Sequence, residues 1–140
     1  MWFILNIIQS ILIFTWSIFL ILMVFITLLF RQRNAAFFIV ENLWSSVLLM
    51  IVGAKVSSID KEKVLKLKDP VIFASNHQSN FDITSIINQT PRHLHFIAKE
   101  EIKKVPFLGQ YTSAMGMIFI DRKNKLKAKE SLQKAGELIR

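Results

Sequence analysis

The chain has 140 residues, a hydrophobic content of 52% and a formal net charge of +8 at pH 7. This length is enough for one domain with a modest core. Because the sequence contains no cysteine, disulfide-stabilised folds and thiolate metal sites are excluded. Residues 1–54 contain three charged side chains, whereas residues 55–140 are basic and rich in charge. The asymmetry predicts a membrane-anchoring helical segment at 1–54, followed by a more soluble domain at 55–140.

The first thirty residues form an apolar segment without any charged side chain. A helix of this length would extend roughly 45 Å, whereas about 20 apolar residues suffice to cross a bilayer core. The segment also lacks the basic start and the small-residue cleavage site of a signal peptide. It therefore predicts either one tilted spanning helix or a bent hairpin in one leaflet. Arg31 and Arg33 follow directly, and the positive-inside rule then places the residues after 30 on the cytoplasmic side of a membrane.

A second apolar stretch covers residues 37–53, and polar side chains interrupt its first half: Glu41, Asn42, Ser45 and Ser46. Such a stretch can lie at the bilayer interface, with Trp44 at the depth of the headgroups. It can equally pack on the domain that follows. The sequence leaves both placements open.

The region after Gly53 alternates between two kinds of pattern. Residues 54–60 alternate in polarity like a strand, and three short apolar runs are typical of buried strands: 71–75, 94–98 and 116–120. Three other segments predict helices: 81–89, 100–109 and 123–140. Because strands and helices alternate, the expected fold class is α/β with a largely parallel sheet.

Two of these predicted helices have further signals. The helix at 100–109 begins with two glutamates, which suit a helix N-terminus, and Pro106 and Gly109 are expected to end it. The helix at 123–140 has one apolar stripe at helical spacing: Ala128, Leu132, Ala135 and Ile139.

The string "SNHQSNFD" (75–82) places a histidine and an aspartate directly after a predicted buried strand. Active sites of open α/β sheets form at the carboxyl ends of strands. With His77 in the turn and Asp82 in the first turn of the next helix, the carboxylate could accept the Nδ1 hydrogen of the imidazole. That bond would fix the tautomer and leave Nε2 free to take a proton. His77 is therefore a candidate general base, and Asp82 is its orienting partner.

Other interpretations of this string stay open. Ser79 suggests a Ser–His–Asp triad, although residues two apart on a tight turn rarely bring Oγ onto Nε2. A metal site is poorly supported, because one histidine and one aspartate leave the ligand set short, and no cofactor is expected. Asn76, Ser79 and Asp82 could also be turn and cap residues, with His77 incidental.

Three ordered blocks resemble a known family. "NHQSNFD" (76–82) resembles the N-H-x-S-x-x-D signature of the glycerolipid acyltransferases, in particular the 1-acyl-sn-glycerol-3-phosphate acyltransferase family. "AKEEIKKVPFLG" (98–109) is similar to the block in which Lys and Glu precede a Pro-x-x-Gly, and "GMIFIDR" (116–122) to the block that ends in Phe-Ile-x-Arg. The resemblance covers about residues 40–140 and corresponds to the N-terminal portion of the family.

The resemblance implies a reaction of phospholipid biosynthesis. His77 would deprotonate the free hydroxyl of lysophosphatidic acid while Asp82 orients the imidazole. The hydroxyl would attack the thioester of acyl-CoA or acyl-carrier protein directly, giving phosphatidic acid without an acyl-enzyme. Arg122 would hold the acceptor's phosphate, Lys99 and Gly109 would shape the acceptor side, and two residues of the first block would also contact substrate: Asn76 and Ser79.

The family has a further Glu-Gly-Thr-Arg block, and this sequence stops at Arg140, before it. The acyltransferase body is therefore expected to be incomplete: a fragment, a truncated gene product, or a short member completed by another chain. The alternative function is that of a non-catalytic remnant that binds membrane lipid or a partner. Nucleic-acid binding is not expected, because no binding module is recognisable. The acyl chain length, the acceptor headgroup and the oligomeric state stay open.

Overall fold

In a computed structural model of the chain, residues 2–68, 70–105 and 108–138 are described. Packing divides the chain into two compact units. The first unit comprises Met1–Leu67 and Phe73–His93, and the second comprises Lys68–Ile72 and Leu94–Arg140. The division at residue 54, which rests on composition, stays a prediction.

The described part of the first unit is helical. Its elements are α1 (Trp2–Leu29), α2 (Arg33–Phe38), a π-helical segment (Ile39–Trp44), α3 (Ser45–Val52), α4 (Lys61–Lys66) and α5 (Phe81–Gln89). The stretch Arg33–Val52 is one continuous helix, here called the second apolar helix. By length and composition, both it and α1 are sufficient to cross a membrane.

α1 and the second apolar helix pack side by side as a helical hairpin. The Gln9 side chain donates a hydrogen bond to the carbonyl oxygen of Ile51 at 2.8 Å. Trp44 Nε1 donates to Ser17 Oγ at 3.0 Å. These two bonds join the beginning and the middle of α1 to the end and the middle of the second helix, so the two helices run antiparallel.

A tight connection joins the two helices of the hairpin. The amide of Gln32 donates to the carbonyl oxygen of Thr27 at 2.9 Å, and that of Arg31 donates to Leu28 at 2.9 Å. This pair of bonds is the Schellman pattern, in which the residue after the helix adopts the left-handed conformation. Arg31 does so with φ of 57°.

The core of the first unit lies between the hairpin and α5. Its buried apolar residues come from both helices of the hairpin and from α5: Leu20, Val24, Ala36, Phe37, Ile39, Leu48, Leu49 and Ile87. Helix α3 packs directly on α5. Of the two placements that the sequence left open for the second apolar stretch, the structure shows packing on a helix of the following region.

The second unit contains a parallel βαβ arrangement. Its elements are β1 (Ile97–Lys99), a 3₁₀ helix (Glu100–Lys104), α6 (Leu108–Ala114), β2 (Ile118–Ile120) and α7 (Lys125–Leu138). The strands pair in parallel, with Ile97 opposite Ile118 and Lys99 opposite Ile120. This short pair confirms a parallel sheet at two of the predicted strand positions.

Helix α7 confirms the predicted helix near the end of the chain, and it packs on β2. Asn124 Oδ1 caps its start by accepting the amides of Leu126 and Lys127 at 3.1 Å each. Of the predicted stripe, Ala135 is buried but Leu132 is half exposed. Ile139 lies outside the described residues.

Two predicted strands are wrong. Residues 54–60 and 71–75 have no strand partner in the described part of the chain. Ile72 is 79% exposed, so 71–75 is not a buried run either. An apolar run becomes a strand only where a second backbone completes its hydrogen-bond ladder, and hydrophobicity alone does not indicate that partner. The described chain is therefore mostly helical, with a smaller sheet than the α/β prediction implied.

The predicted helix at 100–109 also needs correction. Glu100–Lys104 forms a 3₁₀ helix, and Gly109 lies inside α6 instead of ending a helix. The predicted stop at Pro106 falls outside the described residues. A side chain at Gly109 would collide with the carbonyl oxygen of Lys103. Glycine at this position therefore allows α6 to approach the backbone of the 3₁₀ helix closely, which is a packing requirement.

Candidate active site

The structure brings His77 and Asp82 together at the start of α5. Residues 71–78 have no regular secondary structure, and α5 begins at Phe81, so Asp82 lies in the first helical turn. His77 Nδ1 is 3.1 Å from Asp82 Oδ2. The turn-to-helix layout that the sequence suggested for this pair is therefore present, although the strand before it is not.

The Asp82 carboxylate is held by the backbone of the turn that it closes. Its Oδ2 accepts the amide of Gln78 at 2.6 Å and that of Ser79 at 2.7 Å. The amide of Asp82 in turn donates to the carbonyl oxygen of Ser79 at 3.1 Å. The position of the carboxylate relative to the turn is therefore set by local backbone bonds.

These bonds favour the ionised carboxylate. The amides of Ser79 and Gln78, followed by the hydrogen bond from His77, hold the pKa of Asp82 below its usual range. Slight desolvation opposes the shift. Because an ionised carboxylate only accepts hydrogen bonds, the Nδ1 of a neutral His77 carries the proton and Nε2 has a free lone pair.

The two side chains differ in accessibility. The His77 side chain is 60% exposed, whereas that of Asp82 is 29% exposed. Four consecutive residues line an open depression of about 370 Å³ beside the imidazole: His77, Gln78, Ser79 and Asn80. The imidazole is therefore reachable from solution, while the carboxylate beside it is less exposed.

Ser79 is occupied as a turn residue. Its Oγ accepts the amide hydrogen of Phe81 at 3.2 Å, and its own amide binds Asp82. Within the described residues, no hydrogen bond joins Ser79 Oγ to His77. The arrangement offers a histidine–carboxylate pair and not a serine nucleophile. A substrate-binding role for Ser79, or for the exposed Asn76, stays a prediction.

Lys99 and Arg122 belong to the second unit, where each lies at or just after the carboxyl end of a strand. Lys99 is the last residue of β1 and lies opposite Ile120, and Arg122 comes two residues after Ile120. Parallel strands bring their carboxyl ends to one edge, so both cations lie there. Both side chains are exposed, and neither has an ion pair among the described carboxylates. They are available for an anion, although their binding roles stay predictions.

The structure shows contacts of His93 that the sequence analysis did not identify. His93 Nδ1 is 2.8 Å from Glu41 Oε1, and its ring stacks on Phe37 with centroids 4.3 Å apart. The one available signal was the carboxylate of Glu41 within an apolar stretch. The backbone amides that bind Asp82 agree with the turn or cap role that the sequence left open for this residue.

The comparisons with known proteins identify the family. The Acyltransferase family profile matches residues 55–140. The chain belongs to the acyltransferase family. The region of that match contains both His77 and Asp82.

Relatives with more specific names support this assignment. The chain is 30% identical over 112 residues to the 1-acyl-sn-glycerol-3-phosphate acyltransferase of Saccharomyces cerevisiae, an alignment that covers 80% of this chain and 36% of that protein. It is 28% identical over 141 residues to the enzyme of the same name from Chlamydomonas reinhardtii, covering 94% of this chain and 42% of the relative. A 60-residue match to the Helicobacter pylori protein of that name is 43% identical and covers 43% of this chain and 25% of the relative.

The chain thus spans less than half the length of these relatives. No solved structure matches the chain significantly.

Proposed function

We propose that this chain transfers an acyl group from a thioester to the free hydroxyl of lysophosphatidic acid, giving phosphatidic acid. The observation that carries the proposal is the 3.1 Å contact between His77 Nδ1 and Asp82 Oδ2, with Nε2 left accessible. Family membership supports acyl transfer, and the names of the relatives support this acceptor.

The chemistry requires one base and no acyl-enzyme. Nε2 of His77 takes the hydroxyl proton as the acceptor oxygen attacks the thioester carbonyl. The resulting imidazolium is stabilised by the Asp82 carboxylate. When the tetrahedral intermediate collapses, the C–S bond breaks and the thiolate leaves with the proton from His77. The products are an oxygen ester and a free thiol, and the imidazole is neutral again.

The acceptor's phosphate needs cations. Arg122 suits this role because a guanidinium donates two parallel hydrogen bonds to phosphate oxygens. Lys99 at the same sheet edge adds a second positive charge. Gly109 contributes indirectly, since it allows α6 to pack on the 3₁₀ helix that follows Lys99.

The donor is acyl-CoA or acyl-carrier protein, and the acceptor is a membrane lipid, so the proposal includes a membrane. Many large apolar side chains of α1 are exposed, among them Trp2 at 74% and Phe3 at 76%. A continuous exposed apolar surface of this kind is costly in water and suits lipid chains. The hairpin therefore acts as the membrane anchor.

The packing within the first unit favours a hairpin in one leaflet over a spanning pair. α1 lies along the second apolar helix, and α5 covers the middle and the end of that helix. If the pair crossed the bilayer, the polar side chains of α5 would lie at membrane depth, where such groups are costly. With the hairpin in one leaflet, residues after 30 stay on one side, which the positive-inside rule makes cytoplasmic.

The test is an acyl-transfer assay on membranes that contain this chain. Labelled acyl-CoA and labelled acyl-carrier protein are each supplied with lysophosphatidic acid. His77→Ala is expected to lower product formation by about 10²-fold or more, because it removes the base. His95→Ala, which removes an exposed histidine elsewhere in the chain, is the matched control and keeps activity.

The outcomes separate the two candidate functions. Transfer that requires His77 supports the enzyme, and the preferred thioester identifies the donor. Equal rates for wild type and His77→Ala would contradict the base. An inserted wild-type chain without transfer, but with lipid binding, would favour the non-catalytic remnant.

A further inference from the structure

The second apolar helix has a polar strip that acyl transfer does not use. The strip consists of Glu41, Ser45 and Ser46, in a helix that is otherwise apolar enough to cross a membrane. Ser45 is fully buried, and its hydroxyl donates to the carbonyl oxygen of Glu41 at 2.5 Å. Polar groups in such a helix are costly unless they have partners, so the contacts of the strip need a reason.

Asn88, near the end of α5, binds the two serines of the strip. Its Nδ2 is 2.9 Å from Ser46 Oγ and 3.4 Å from Ser45 Oγ. Its Oδ1 accepts a hydrogen bond from Gln89 Nε2 at 2.7 Å. Both ends of the Asn88 amide are therefore engaged, which fixes its orientation towards the helix.

His93, four residues after α5, binds the acidic member of the strip. Its Nδ1 is 2.8 Å from Glu41 Oε1, and its ring stacks on Phe37 at an interplanar angle of 19°. The imidazole is thus held by an electrostatic contact and an aromatic contact, both from the same helix. Asn88 and His93 together fix the C-terminal end of α5 at two places.

The other end of α5 carries the reactive pair. Asp82 lies in the first turn of this nine-residue helix and holds His77. A helix of that length is about 13 Å long and behaves as a short rigid rod. Glu41 also lies in the π-helical segment Ile39–Trp44. Such segments are rare in proteins, and those that occur are often found at functional sites. Fixing one end of α5 therefore constrains where the other end places the imidazole.

We propose that Asn88 and His93 are positioning residues that set the depth and orientation of His77 relative to the apolar hairpin. The inference rests on the proposed function and adds how the site meets a lipid acceptor. A lysolipid in a bilayer presents its hydroxyl at a restricted depth, so the base must lie at a matching height. Loss of the strip contacts raises the KM for an acceptor in vesicles and leaves the kcat with a detergent-dispersed acceptor unchanged.

The first experiment measures depth and needs no turnover. Because the chain has no cysteine, Asn80→Cys provides a single label site beside His77. A fluorophore there is tested in vesicles that contain lipids brominated at defined acyl positions. Asn88→Ala with Glu41→Ala removes the partners of both contacts and should shift or broaden the quenching profile of the otherwise identical labelled chain. Asn42→Ala is the matched control, because the Asn42 side chain donates to the carbonyl oxygen of Phe38 in its own helix and should leave the profile unchanged.

The second experiment measures kinetics with unlabelled chains. The pair Asn88→Ala and Glu41→Ala should raise the KM for lysophosphatidic acid in vesicles about threefold to tenfold, the effect of losing one or two hydrogen bonds. Equal losses of kcat with vesicles and with detergent would indicate a general structural defect and overturn the proposal. If this double variant does not fold by circular dichroism, Ser46→Ala, which removes one bond, replaces it.

The results separate this inference from the proposed function. A shifted quenching profile in a chain that shows no transfer would reject the enzyme and keep the positioning role. Normal transfer, with depth profile and KM unchanged by the strip variants, would reject the positioning role alone.

Discussion

The His77–Asp82 turn and the sheet edge with Lys99 and Arg122 are built in opposite ways. In the turn, two backbone amides and the imidazole converge on a single carboxylate oxygen. At the sheet edge, two cations follow parallel strands without an ion pair among the described carboxylates. The first region is fixed before any substrate binds, whereas the second has unused charge that a substrate could engage.

The contrast predicts that one region serves catalysis and the other serves binding. A base that works in the transition state must be oriented in advance, so its supporting bonds belong to the protein. A cation binds phosphate most strongly when no carboxylate of the protein already neutralises its charge. Its hydrogen bonds therefore form only when the ligand binds. Changes in the turn should therefore lower kcat, and changes at the sheet edge should raise the KM for the acceptor.

The largest effect is expected in the turn. Asp82→Asn keeps the size of the side chain but removes the charge and allows the wrong imidazole tautomer. The kcat should fall by about 10²-fold or more, with little change in the acceptor KM. Initial rates at several acceptor concentrations measure both constants. A change confined to KM would show that Asp82 acts in substrate binding, and the proposed difference between the turn and the sheet edge would then be wrong.

A smaller effect is expected at the sheet edge. Arg122→Gln removes a charged phosphate contact and should raise the acceptor KM by about tenfold. Lys123→Gln removes the charge of the neighbouring residue and serves as the control. The backbone amide of Lys123 donates to Asp121 Oδ1. The same rate assay distinguishes them. An identical response in both variants would indicate only a general electrostatic effect.

Two glycines of the second unit provide a matched pair for stability. Gly109→Ala should lower the free energy of unfolding by about 1–3 kcal/mol, because the added methyl meets the Lys103 backbone. The methyl group added by Gly136→Ala meets no atom within 4 Å, so this change should raise the free energy of unfolding by about 0.5–1 kcal/mol. Hydrogen exchange of the β1 and β2 amides in the full chain measures both. A stabilising Gly109→Ala would contradict the close approach of α6.

The smallest effect concerns acid. The pKa of Asp82 is lowered by folding, so its stabilising bonds are complete above the unfolded value of about 3.9 and are lost as the pH falls through the lower folded value. Amide resonances of Gln78 and Ser79 should therefore shift together in strongly acidic solution. Asp82→Asn should abolish that transition. A joint transition near neutral pH would show that the carboxylate is not held as described.

Sequence analysis succeeded where the determinants are local. The turn and helix at 76–89 follow from residues within a few positions of one another. It failed where a distant partner decides the structure. Residues 71–75 have the composition of a strand, but pairing depends on another backbone. Gly109 was expected to end a helix, since glycine and proline commonly do so. Its close contact with the backbone of Lys103 cannot be inferred from the sequence.

The same distinction applies to the candidate site. His77 and Asp82 could be paired from their spacing and the expected turn. The link between α5 and the second apolar helix could not, because Ser46 and Asn88 are 42 positions apart and Glu41 and His93 are 52 apart. Polar residues in an apolar stretch indicated that partners were needed without indicating which ones.

The most direct test of the histidine–carboxylate pair is a double-mutant cycle on the kcat of acyl transfer. It compares His77→Ala, Asp82→Asn and the chain with both changes. If Asp82 acts through His77, the double variant has the rate of His77→Ala alone, because the carboxylate then has no base to orient. If the two losses multiply, Asp82 acts independently of His77, and the account of this site is wrong.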